Sequence, residues 1–470
     1  LLDCRKPPDY HSSFLKAGDD IMAKPRIAVR REDKNKWERR AAVTPKAVKK
    51  ISSMGIETAV EKSNLRAFDG QEYEKAGADI KKDVSESPVV FGVKEMPVEF
   101  FRAGGVYAFF SHVHKGQHYN MPMLRRIMEL GCTLIDYERV ADAAGKRLIF
   151  FGRYAGLAGA VETLRALGLR LKYDGFDTPF AKIKQPYEYG GLAAAGKAVE
   201  KAGEEIRKNG LPDEISPLVI GVTGYGNVSR GAQEILRLLP LVEVKPAEIH
   251  AAAGGGLRGG RNAVVMSVFH EEDTVVPKRK GAKFDLRDFF AHPEKYGPRF
   301  AGYLPYLSVL INCVYWEPKY PRLVTKEDIK KLFAEGAPNL RVIGDISADI
   351  NGSVEITVRH TTPDEPCFVY DPEACEETPG VEGLGPVVMA VDNLPCEFPR
   401  ESSEEFSAAL MPFIERIAKA DYSVPFNRLD LPDEIRRAVI VHRGALTPDY
   451  KYLHKFLKAK PAGGDAHSCR

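Results

Sequence analysis

One unit in the middle of the chain constrains the fold most: a strand, a glycine-rich turn and a helix in immediate succession. The apolar run Pro217–Val222 leads into Gly221-Val-Thr-Gly224-Tyr225-Gly226-Asn227-Val228-Ser229, and a helical stretch, Ser229–Leu238, follows. Glycines let a backbone turn tightly and approach a pyrophosphate, and the helix behind presents free N–H groups and its positive end. The strand before and the helix after are the context that gives such a motif weight. Ser229 stands where Gly or Ala is usual, and an ordinary strand–turn–helix connection is the plain alternative. An acidic residue about 20 positions on would hold a ribose 2′-OH. Glu243 would serve NAD there, and Lys245 would suit a 2′-phosphate. The rival loop Gly254–Gly260 lacks a clear strand before it and a helix after it.

The same alternation runs along the rest of the chain. Arg26–Arg31, Ile56–Glu61, Pro88–Val93, Gly105–Phe110 and Cys132–Ile135 read as short strands. Between them, Thr44-Pro45 starts a helix that Gly55 ends, and Met121–Leu130 is helical. A helix rich in small residues begins at Tyr154, and another covers Leu192–Lys208. Later strands are expected at Leu307–Ile311, Arg341–Asp345 and Val387–Val391, and 403–456 is expected to be mostly helical. Strands alternating with helices predict an α/β fold: two Rossmann-like domains with parallel sheets flanked by helices, and a cleft between them. The 470 residues allow about three domains or two large ones. The division expected is 25–152 plus 396–456 for substrate, 153–395 for the dinucleotide, a disordered extension over 1–24 and a tail over 457–470. Met22 is expected to be the biological start.

Charge excludes several functions. With 68 basic against 65 acidic residues there is no electrostatic footprint for nucleic acid or an anionic membrane. Seven cysteines without a Cys-x-x-Cys read as reduced thiols of a cytoplasmic protein. Polar residues recur where the first strands end: Arg39 and Arg40, Lys94 and Glu95, His112, then Asp136 and Glu138. Ligands of open α/β sheets bind outside the carboxyl ends of the strands, so these side chains are candidates for one cleft. A lysine and a histidine close together can divide acid and base work, each depressing the other's pKa. His112, His114 and His118 have spacings a metal could use, but Lys115 sits among them with no acidic or cysteine ligand near, and no metal is expected.

Taken together, RIAVRRED, WERRAAVTP, FGVKEMP, YAFFSHVHKGQ, TLIDYERV, FGRYAGLAGA, GNVSRGAQEIL, INCVYWE, DISADINGSVE and AVDNLPCEFPRE resemble one family, from about residue 25 to about 456. It is the lysine-ketoglutarate reductase half of α-aminoadipic semialdehyde synthase. The chain is similar, more distantly, to fungal L-lysine-forming saccharopine dehydrogenase, in the superfamily of alanine dehydrogenase and transhydrogenase. The resemblance implies an NAD(P)-dependent enzyme that joins L-lysine to 2-oxoglutarate as an imine and reduces it to saccharopine. It implies Lys94 and His112 as the acid–base pair. It implies Arg40, Gln117, Arg147, Phe151, Ser347, Ala348 and Asp349 as substrate contacts, with Glu138 tempering the charge of the Lys–His pair. For the cofactor it implies Gly224, Tyr225 and Gly226 at the pyrophosphate, together with Tyr315, Ile346, Val391, Asp392, Asn393 and Leu394. Lys146 is added, where the fungal pattern has Arg. The likeness to the bifunctional type and the presence of Lys245 lean to NADP(H) over NAD(H). The glutamate-forming half is not in the sequence, so a separate glutamate-forming saccharopine dehydrogenase is the expected next enzyme. An alanine dehydrogenase-like enzyme and a non-catalytic dinucleotide sensor are the alternatives.

Overall fold

The structure is a computed structural model that describes residues 24–253, 260–336 and 338–458. The expected extension before Lys24, most of the 251–261 patch and the tail beyond Lys458 lie outside the described residues.

Short runs of two to six residues, most of them apolar, too short for helices and bounded by turns, form two eight-stranded sheets among the described residues. The first holds β1 (Arg26–Val29), β2 (Glu57–Glu61), β3 (Asp79–Lys81), β4 (Val89–Phe91), β5 (Val106–Phe109) and β6 (Thr133–Asp136). These run parallel in the order β3-β2-β1-β4-β5-β6. Helices α1 (Pro45–Ser53), α2 (Gly70–Lys75) and α3 (Met121–Glu129) connect them. Thr44 and Pro45 open α1 as expected, and Gly55 follows it with φ +76°.

The second sheet begins after α4 (Gly152–Tyr173) and α5 (Leu192–Asn209). Its strands are β7 (Leu218–Thr223), β8 (Leu241–Glu243) and β9 (Val264–Phe269), with α6 (Asn227–Leu236) between β7 and β8. A small hairpin, β10 (Val275–Pro277) and β11 (Tyr296–Pro298), stands apart. Then come β12 (Val309–Asn312), β13 (Val342–Asp345), β14 (Cys367–Asp371), β15 (Glu376–Pro379) and β16 (Val387–Met389). The spatial order is β15-β14-β16-β13-β12-β7-β9-β8, with β14 antiparallel to both β15 and β16.

The C-terminal segment is mostly helical as expected, but it also carries strands that were not expected. The helix Pro399–Lys419 is followed by two strands, β17 (Val439–His442) and β18 (Ala445–Leu446). They extend the first sheet antiparallel beyond β6, so both sheets are mixed. Phe406, Leu410 and Ile414 of that helix pack into the core of the first sheet, while α4 packs into the core of the second. The backbone thus passes between the sheets at Phe151–Gly152 and returns through Leu394–Glu397.

Alpha4 carries small residues because α6 lies against it. A Cβ on Gly156 would sit 1.9 Å from the Val228 carbonyl oxygen, and one on Gly231 would sit 2.1 Å from that of Arg153. The two backbones touch there, which fixes how the helix behind the glycine turn is aimed.

Candidate active site

In the first sheet the strand order reverses beside β1, the kind of switch point where an open α/β sheet leaves a crevice. Three strand ends meet there. The segment after β1 brings Glu32, Lys34, Glu38 and Arg40; β4 brings Lys94 and Glu95; β5 brings Ser111 and His112. Glu32 is buried and accepts from the backbone N–H of Val93 at 2.7 Å and of Lys94 at 2.9 Å. Its carboxylate thereby pins the turn that presents Lys94. Burial, then the charge of Glu38, pushes the Glu32 carboxyl up to about 7.

Burial also pushes the Lys94 ammonium below its ordinary range, and the positive charge of Arg40 adds to this. The expected mutual depression by His112 is not the cause. The carboxylate on His112 is Glu95, whose Oε1 lies 2.7 Å from Nδ1, while its Oε2 accepts from Lys34 Nζ at 2.9 Å. Burial works to raise Glu95, but His112 and Lys34 outweigh it and hold the carboxyl well below the usual range. Glu95, rather than the expected Glu138, is the carboxylate in direct contact with His112. Glu138 instead lies 3.3 Å from His114 and 3.9 Å from Arg147. His112 has φ +52°, a left-handed backbone uncommon outside glycine. Its ring stacks on Phe110 with centroids 6.2 Å apart.

Arg40 is only 2% exposed. Its Nε donates to Glu38 Oε1 at 2.8 Å, and Nη2 donates to Glu38 Oε2 and to Asn393 Oδ1 at 3.0 Å. Arg40 ties the loop after β1 to the second sheet's return segment, with Nη1 outside these bonds. Phe151 packs in the same place, stacked on Phe406 at 4.6 Å with the Arg40 guanidinium 4.1 Å from its ring centroid. Gln117 is half-buried, and its Oε1 has no hydrogen-bond partner. Lys146 and Arg147 are exposed. A pocket of about 600 Å³ brings Arg147, His114, Lys115 and Glu138 to Tyr315, which comes from the segment after β12.

The second sheet has its own switch point, beside β7. The turn there opens at Gly224, with φ +82°, a value that calls for glycine. A Cβ on Gly226 would meet nothing within 4 Å, so the turn leaves open space in front of α6. The N-terminus of α6 has no side-chain cap, so its N–H groups are free for a ligand. Asn227 and Val228 are half-buried at this end. Two residues expected in the turn are placed otherwise. Gly221 lies inside β7, where a Cβ would press on the side chains of Leu307 at 2.9 Å and Phe269 at 3.0 Å. Ser229 is buried, its Oγ accepting from Gln233 at 2.9 Å, so only its backbone can face a ligand.

Ile346, Val391 and Leu394 belong to the core against α4; Asp392 alone of Val391–Leu394 is exposed. The loop Ser347-Ala348-Asp349 leaves β13 over a buried polar ladder. Thr223 donates to Asn312 at 2.9 Å, Asn312 donates to Asp345 at 2.8 Å, and Thr357 donates to Asp345 at 2.6 Å. Burial pushes the Asp345 carboxyl up to about 6. Ala348 is buried with φ +52°, Ser347 donates to the Val314 carbonyl at 2.6 Å, and Asp349 is exposed. Burial raises Asp349 too, and the charge of Lys115 from the first sheet's side opposes it.

Glu32, Lys34 and Glu38 were not legible as site residues. The run RREDKNKWERR offers many charges, and nothing local says which of them the fold buries.

Residues 28–158 match the family model described as alanine dehydrogenase/PNT, N-terminal domain, and residues 237–449 match that of the C-terminal domain. The chain belongs to the alanine dehydrogenase/PNT family. Among its relatives, the mitochondrial alpha-aminoadipic semialdehyde synthase of Rattus norvegicus is 37% identical over 451 residues, covering 93% of this chain and 48% of the relative. The Arabidopsis thaliana synthase is 38% identical over 466 residues, 96% of this chain and 43% of the relative. The chain spans about half the length of these synthases. The saccharopine dehydrogenase [NAD(+), L-lysine-forming] of Emericella nidulans is 29% identical over 389 residues, 80% of this chain and 88% of the relative. Two solved structures share the alanine dehydrogenase/PNT fold. An L-alanine dehydrogenase superposes with a TM-score of 0.59 at 17% identity, covering 92% of this chain and 99% of its own. A transhydrogenase from Sinorhizobium meliloti gives 0.54 at 16% identity, with 90% and 99% covered.

Proposed function

We propose that this chain interconverts L-lysine plus 2-oxoglutarate with saccharopine, using a nicotinamide dinucleotide. One observation carries the reading: a half-buried Lys94 with a depressed pKa, on the strand end next to the one that presents a carboxylate-held His112, at the mouth of the first sheet. Forming a carbinolamine, expelling water and hydrolysing the imine in reverse each move a proton at oxygen or nitrogen. Lys94 gives up and regains its proton closer to neutrality than an ordinary lysine. His112, held through Nδ1 by Glu95, keeps Nε2 for the second transfer. Saccharopine carries three carboxylates, and the exposed guanidinium of Arg147, the exposed Lys115 and the open edge of Arg40 offer cations to meet them. The names of the relatives, alpha-aminoadipic semialdehyde synthase and saccharopine dehydrogenase [NAD(+), L-lysine-forming], support the same substrates.

Gly224, Tyr225 and Gly226, with the N–H groups at the start of α6, would hold the dinucleotide, whose nicotinamide supplies or accepts the hydride. The test is the loss of reduced-nicotinamide absorbance with lysine and 2-oxoglutarate together. Oxidation that requires both substrates is expected. Oxidation with pyruvate and ammonia instead would make the chain an alanine dehydrogenase. Tight dinucleotide binding without turnover on any amino-acid and keto-acid pair would make it a sensor.

A further inference from the structure

The residue that reads the adenosine ribose does not lie where the interval along the sequence puts it. In a Rossmann unit that residue stands at the carboxyl end of the strand next to the glycine turn's own strand. Counting about 20 residues from the turn leads to Glu243, on β8. But β8 does not pair with β7. It pairs with β9, and β9 fills the place beside β7. Glu243 is level with Met266, and Met266 is level with Ile220, three residues below the rim of β7. At about 4.8 Å per strand and 3.3 Å per residue, Glu243 lies roughly 10 Å sideways and 10 Å below that rim. Lys245, two residues on, follows this same outer strand.

The rim position beside the turn belongs to the end of β9. Phe269 pairs with Thr223, and its carbonyl accepts from Gly224 N–H at 3.0 Å. The next residues, His270 and Glu271, therefore stand level with Gly224 and Tyr225. Two contacts show that they reach the turn. The Tyr225 ring stacks on His270 with centroids 4.5 Å apart, and its hydroxyl donates to Glu271 Oε1 at 3.3 Å.

We infer that Glu271 is the residue that reads the adenosine ribose, and that it selects NAD(H) over NADP(H). The inference rests on the dinucleotide role proposed above for the turn. A carboxylate at that spot accepts hydrogen bonds from the 2′- and 3′-hydroxyls and repels a 2′-phosphate. Along the chain Glu271 is followed directly by Glu272 and Asp273, and the basic run Lys278-Arg279-Lys280 comes only after the strand Val275–Pro277. The lean to NADP(H) rested partly on Lys245, and the sheet order removes that support.

The experiment is equilibrium binding of NADH and NADPH, followed by quenching of protein fluorescence, on the wild type, Glu271→Gln and Glu243→Gln. Charge-assisted hydrogen bonds and like-charge repulsion of this kind are worth about tenfold or more in affinity. The wild type is expected to bind NADH at least about tenfold more tightly than NADPH, Glu271→Gln to lose most of that ratio, and Glu243→Gln to keep it. Tighter NADPH binding by the wild type, an unchanged ratio in Glu271→Gln, or a collapsed ratio in Glu243→Gln would overturn the inference and leave the dinucleotide role of the turn standing. A folded wild type that binds neither cofactor would overturn both.

Discussion

At the scale of the residue, the candidate site works by burying charge next to charge. Lys94 is held by a turn that Glu32 pins from beneath, and its proton is loosened by burial and by Arg40. Lys94→Met is expected to lower kcat roughly 100-fold, the usual worth of an acid–base group, while dinucleotide affinity stays near wild type. Steady-state rates together with direct NADH binding check both halves; unchanged turnover would remove Lys94 from the chemistry. Glu95→Gln tests the partner. It keeps the size of the side chain and removes the charge that orients His112, so kcat is expected to drop about tenfold with little change in melting temperature. The motif GVKEMP singles out both residues, yet their neighbour in sequence says nothing of which of them holds His112. That assignment needed β4 and β5 side by side.

Elements carry a second kind of information, in the close approach of α4 and α6. Gly156 and Gly226 are both glycines near the turn, but they answer to different demands. Gly156→Ala would drive a Cβ into the Val228 carbonyl, so it is expected to cost about 1–3 kcal/mol in denaturant unfolding and to weaken dinucleotide binding by displacing α6. Gly226→Ala has open space around it and no positive φ. It is expected to leave stability within about 0.5 kcal/mol and still weaken binding, because the added methyl stands where a pyrophosphate must approach. Equal stability losses in the two variants would argue against the packing account. The helix over 154 onward was legible from its small residues, and β7 from its apolar run. Beta17 and β18 were not legible: two short strands after a long helix look like helix continuation until β6 supplies the edge they pair with.

At the scale of the whole molecule, buried carboxyls in and against the second sheet link stability to pH. Burial, first among the causes, pushes Glu162 up to about 7, and Asp345 up to about 6. A carboxyl whose folded value is raised holds more protons folded than unfolded. Its contribution is therefore fully present below the unfolded value, near 4.5 for Glu162, and is lost as pH rises through about 7. Melting temperature is expected to decline over that interval, and Glu162→Gln to flatten the decline; an identical slope in the variant would show that Glu162 ionises normally. Arg40 and Asn393 join the two halves at the return crossing, their bond spanning from the loop after β1 to the segment after β16. Asn393→Ala removes an acceptor from the buried Arg40 and a donor to Glu38, so a lower melting temperature is expected along with a higher KM.

What the sequence determined by itself is local. Apolar runs, capping residues and glycine spacing act over a few residues, and they were enough for the strand–helix alternation and the turn at Gly224. The family followed from motifs of the same short reach, and the same motifs marked Lys94 and His112 as candidates. The tertiary structure alone decided the rest, because the order of strands in a sheet is not the order of strands in the chain. It set β9 rather than β8 beside β7, and with it Glu271 rather than Glu243 beside the turn. It brought Glu95 to His112 and buried Glu32 and Glu38 under Lys94 and Arg40. Burial and the neighbours it selects set a charged group's proton affinity, and both exist only once the sheets have formed.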